Sequence, residues 1–92
     1  MKIYGNKNNV YDAVDAVIKY GVAAVEGTKT PAVEYANQII KCLSVYPEIE
    51  PTIGYKNVDN EGYLYYVYDL KKFSSGSPEL EKIVNQIDED NS

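Results

Sequence analysis

The 92-residue sequence contains no histidine, no arginine and no tryptophan, and only one cysteine. Each absence excludes chemistry. Without histidine there is no imidazole to act as a general base near neutral pH, and no ordinary zinc ligand set can be assembled. Without arginine there is no planar fork for bidentate recognition of phosphate or guanine. The lone Cys42 cannot form an internal disulfide and has no histidine to activate it, so it reads as a small buried hydrophobe in a reducing compartment. No apolar run approaches the roughly eighteen residues of a membrane span, and the first nine residues lack the apolar centre of a signal peptide. The expected setting is the cytoplasm, with no membrane partner.

What is present is ordinary in amount and unusual in kind. Hydrophobic residues make up 45% and charged residues 25% of the chain, enough for one core and too short a chain for two. A single compact domain over 1–92 is expected, with 88–92 fraying as an acidic tail. Nine lysines stand against fourteen acids, a net charge of −5, which disfavours direct nucleic-acid binding through a basic surface. Ten residues are tyrosine. Tyrosine suits interfaces because it buries a large ring at low entropic cost and keeps a polar tip, but it is also a good strand former.

Four of the ten tyrosines fall in Gly62 to Phe73, the strongest β signal in the chain. At a period of two, Leu64, Tyr66, Tyr68 and Leu70 share one face and Tyr63, Tyr65, Val67 and Asp69 the other. The preceding segment Thr52 to Asn57 reads as its hairpin partner, closed by a turn over Asp59–Gly62 with glycine in the left-handed position. Setting Asp59 against Tyr63 places Gly54 opposite Tyr68 and Tyr55 opposite Val67, unless a bulge shifts the register.

Helical periodicity marks three further segments. Val10, Ala13, Val14, Val17, Ile18, Gly21, Ala24 and Val25 recur at spacings of three and four, predicting a helix from Val10 to Glu26 with Asn9 as N-cap. Thr30-Pro31 opens a second helix whose inward stripe is Ala32, Ala36, Ile39, Ile40 and Leu43, ending before Pro47. The short Gly27–Lys29 link makes these two an αα-hairpin. Ser77-Pro78 caps a third helix carrying Leu80, Ile83, Val84 and Ile87. The expected fold is α+β: an αα-hairpin, then an antiparallel β-hairpin, then a C-terminal helix, with the helices on one face of the sheet. A short N-terminal strand over Lys2–Tyr4 is left open.

No catalytic constellation emerges. Asp12 and Asp15 share a helix face but lack the third carboxylate, histidine or glycine-rich loop that a metal or catalytic site needs, and they read as a solvated helix start. Glu48 and Glu50 read likewise. No cofactor, metal or enzyme activity is expected. If the helices cover Leu64, Tyr66, Tyr68 and Leu70, the opposite face exposes Tyr55, Tyr63, Tyr65 and Val67 with Asp59 and Asp69 at its margins. Those six residues form the expected partner-binding surface. Stacking of single-stranded bases on such tyrosines is the alternative, disfavoured because only Lys56, Lys71 and Lys72 lie near the sheet.

A small, acidic, tyrosine-rich, arginine-free domain resembles, at the level of class, virus-encoded or plasmid-encoded inhibitors that occupy basic nucleic-acid sites on host proteins, including anti-CRISPR proteins. That resemblance implies a non-enzymatic inhibitor whose partner is a protein with a basic surface. Two alternatives remain open: an antitoxin or immunity-type partner protein, and a small nucleotide-binding protein or enzyme. Homodimer formation is also left open.

Overall fold

The computed structural model describes residues 4–5, 9–25, 29–58 and 62–91. In chain order these form β1 (Tyr4–Gly5), α1 (Val10–Tyr20), β2 (Val22–Val25), α2 (Lys29–Leu43), β3 (Pro51–Val58), β4 (Gly62–Asp69) and α3 (Pro78–Asn91). The class is α+β, with a C-terminal helix following the hairpin. The sheet order is β1-β2-β4-β3, so the tyrosine-rich β4 is an interior strand, paired antiparallel with β2 on one side and β3 on the other.

The αα-hairpin expected at the N-terminal half is not formed. α1 stops at Tyr20, and Gly21 takes a left-handed conformation (φ +83°) that caps the helix by donating its N–H to the Val17 carbonyl at 2.8 Å. Val22 to Val25 then run as a strand whose four side chains are all buried. The physical reason lies in the apolar run Val-Ala-Ala-Val. Such a run satisfies a helical stripe at two positions, but only a strand covered on both faces buries all four. Gly21 is therefore a helix terminus and not part of an interior small-residue stripe. A Cβ there would also lie 2.7 Å from the buried Phe73 ring.

This strand changes the architecture. β1 and β2 are parallel, and β2 and β3, both antiparallel to β4, are parallel to each other. Each parallel step is crossed by a helix, and both steps move the same way across the sheet. Right-handed crossovers then place α1 and α2 on the same face, where they pack against one another. α3 covers the opposite face. Lys56, on the side of β3 shared with Leu64, bonds Asp88 of α3 at 2.7 Å, and Glu81 of α3 lies close enough to Tyr66 to disfavour its ionisation. The helices thus sandwich the sheet instead of sharing one face. The core accordingly includes residues from both sides of β4, Tyr65 and Val67 with α1 and α2, and Tyr68 on the α3 side.

Other local expectations hold. Asn9 caps α1 by accepting from the Tyr11 N–H at 3.1 Å. Ser77 caps α3 by accepting from the Leu80 N–H at 3.1 Å, with Pro78 in the first turn. α3 continues to Asn91, so the acidic residues Asp88, Glu89 and Asp90 lie in its last turn. Gly62 has φ +97° as a hairpin glycine. The hairpin register, however, sets Gly54 against Tyr66 and Tyr55 against Tyr65, two residues from the expected alignment. A two-residue shift keeps every side chain on its face. Gly54 thus accommodates the ring of Tyr66 rather than Tyr68: a Cβ on Gly54 would lie 2.8 Å from the Tyr66 hydroxyl and nearer still to its ring. Lys2 and Ile3 lie outside the described residues; the short N-terminal strand is seen as Tyr4–Gly5.

Candidate functional site

The expected binding face divides in two along its length. Near the centre of the sheet, Val67 is fully buried and Asp69 nearly so, because α1 and α2 lie over them. Asp69 is a structural clamp. One carboxylate oxygen accepts from the backbone N–H of Glu50 at 3.0 Å and of Lys71 at 2.9 Å, tying the end of β4 to the approach into β3. Neither residue can reach a partner. Tyr65 is 9% exposed and belongs to the core, which corrects the expectation that it stands on the surface. Asp59 lies outside the described residues.

At the hairpin end the same face emerges from under the helices. Tyr55 is 65% and Tyr63 46% exposed. Their rings meet edge to face with centroids 5.3 Å apart, and both lean on Tyr65, at 6.4 and 6.2 Å. Strand pairing explains the cluster: Tyr55 faces Tyr65 across the ladder, and Asn57 faces Tyr63, so three rings on one face fall within reach. The buried Tyr65 is the neighbour against which the two exposed rings lie.

On the other face, the rings of Tyr66 and Tyr68 meet at a tilt of 42° with centroids 5.7 Å apart, on the α3 side. Burial, followed by Tyr68 and then Glu81, holds the Tyr66 phenol above its usual pKa. α3 is the most acidic element, with Glu79, Glu81, Asp88, Glu89 and Asp90 against Lys82 alone. Of these, the sequence reading placed Asp88, Glu89 and Asp90 in a frayed tail. Leu80, Val84 and Ile87, whose spacing predicted the helix, are buried, so the acids ride on a packed helix.

No family model, curated protein or solved structure matches this chain.

Asp12 and Asp15 are exposed on α1. Asp12 is within 3.4 Å of the Asn9 amide and belongs to the helix start. Among the described residues no group of three or more His, Cys, Asp or Glu side chains could hold a metal ion, and no helix is long and apolar enough to cross a membrane. Cys42 is only half-buried, on the flank of α2. The arrangement left for function is a partly exposed aromatic pair on a strongly acidic domain.

Proposed function

We propose that this chain is a non-enzymatic, acidic protein-binding module of the cytoplasm that occludes a basic, nucleic-acid-binding site on a host protein, in the manner of virus-encoded anti-defence or anti-CRISPR inhibitors. The observation that carries the reading is the exposed Tyr55–Tyr63 pair lying against Tyr65. Exposed aromatic rings lying against a buried neighbour are the usual form of an interface anchor. The net charge of −5 and the carboxylates of α3 supply the long-range term: they draw in a basic surface and speed encounter, while the tyrosines provide the desolvated contact. The absence of histidine and arginine supports a role without catalysis.

The test is capture from a lysate of the cells in which the chain acts, using immobilised wild type and the Tyr55→Ala/Tyr63→Ala double variant. A nucleic-acid-binding protein should be retained by the wild type, released by salt, displaced by its own nucleic acid, and held at least tenfold more weakly by the variant. Equal retention by both proteins, or binding indifferent to nucleic acid, would overturn the reading.

A further inference from the structure

The hydrogen-bond parity of the hairpin identifies which backbone groups of β3 are left over. Leu70 donates its N–H to the Glu50 carbonyl at 2.9 Å, one step beyond the Pro51–Asp69 pair. Even-numbered residues of β3 therefore turn their N–H and C=O toward β4, and the odd ones turn outward. The other side of β4 agrees, since Asp69 donates to the Gly21 carbonyl at 2.9 Å toward β2. Among the described residues β3 is the last strand in the sheet, so Ile53, Tyr55 and Asn57 turn their N–H and C=O groups to its outer edge. Pro51 contributes only a carbonyl.

Edge strands are commonly guarded by a free lysine, a bulge or brevity. β3 has eight residues paired in an unbroken register. Its single lysine, Lys56, bonds Asp88 of its own α3 at 2.7 Å and is directed to the helix side. No carboxylate lies on Pro51–Val58, so a basic peptide would meet no counter-charge along this edge, and Lys56 is already neutralised by Asp88. A second copy of the same strand meets no net repulsion there, despite the charge of the whole chain.

We infer that two copies of this chain pair antiparallel through β3, with Tyr55 opposite its own equivalent and Ile53 opposite Asn57, joining two four-stranded sheets into one. This register uses all three outward residues of each strand, in about six interchain hydrogen bonds. It also sets the two Tyr55 rings side by side on one face, with a Tyr63 outside each, so that the exposed aromatic pairs of both chains form one continuous surface. The inference rests on the strand edge and not on the inhibitor reading. It is judged by mass, whatever the chain binds.

Sedimentation velocity across a micromolar dilution series, with amide hydrogen exchange on the same samples, decides it. The wild type should run at twice the 10.3 kDa chain mass and dissociate on dilution. The amides of Ile53, Tyr55 and Asn57 should gain protection only at the higher concentrations. Asn57→Pro removes an outward N–H that the fold does not use, and Tyr55→Lys sets two ammonium groups face to face across the two-fold axis. Each should shift the monomer–dimer midpoint upward at least tenfold while leaving the circular dichroism spectrum unchanged, and if the proline variant unfolds, the lysine variant decides. A wild type that stays at monomer mass overturns the dimer, as does a dimer indifferent to Tyr55→Lys. Protection of the three amides that appears only when an extended lysine-rich peptide is added to a monomer would reassign the edge to a foreign strand and also overturn it.

Discussion

Tyr65 and Tyr55 face each other across one hairpin, carry the same side chain on the same face of the sheet, and have opposite fates. Tyr65 is 9% exposed and Tyr55 65%. Their neighbours in sequence differ, Gly54, Lys56 and Asn57 beside Tyr55 and Leu64, Tyr66 and Val67 beside Tyr65, but both side chains occupy the same alternating positions of paired strands. The difference is set by where α1 and α2 end over the sheet. Toward the centre the helices convert the face into core; at the hairpin end they leave it bare. A tyrosine on a strand is thus assigned to stability or to binding by its position along the strand relative to the covering layer, and not by which face it occupies.

The comparison can be broken most readily at its buried end. Tyr65→Ala should destabilise the fold by about 3 to 5 kcal/mol, as removal of a large core ring does, read from the urea midpoint at constant slope. Asp69→Ala leaves the Glu50 and Lys71 amides without their shared acceptor. It should cost about 1 to 3 kcal/mol, and faster exchange of those two amides would locate the damage. Gly54→Ala pushes a methyl group into the Tyr66 ring and should cost about 1 to 3 kcal/mol by overpacking; an unchanged melting temperature would mean the ring swings aside freely. The smallest effect is electrostatic. Because the Tyr66 phenol is held above its usual pKa, the folded state retains a proton that the unfolded state releases. Its contribution is complete below the unfolded value and is lost as pH rises through the raised folded one. Stability should fall in alkali above about pH 10 more steeply for the wild type than for Tyr66→Phe.

The parts legible in the sequence were those fixed by local chemistry. Asn9, Ser77 and Pro78 marked helix starts because their side chains serve the first turn directly, and Gly62 marked the hairpin because only a left-handed residue closes it comfortably. The segment Gly21–Val25 was misread because its apolar spacing fits a helix and a doubly covered strand equally. Which one forms depends on the availability of β4 as a neighbour more than forty residues away. That one error propagated. Without β2 there was no reason for β4 to be an interior strand, no second crossover to place α1 and α2 together, and no cause to bury Tyr65, Val67 and Asp69. Tyr55 and Tyr63 were found, but for a reason that held only at the end of the hairpin.

The most direct test sets Tyr65→Ala beside Tyr55→Ala in parallel urea titrations, at concentrations low enough to keep the chain monomeric. Loss of a single edge-to-face contact on the surface should limit the Tyr55 variant to about 0.5 to 1 kcal/mol, against about 3 kcal/mol or more for Tyr65. Equal losses, or a larger loss at Tyr55, would show that the helices do not divide the tyrosine face as described and that the exposed pair is not free for a partner.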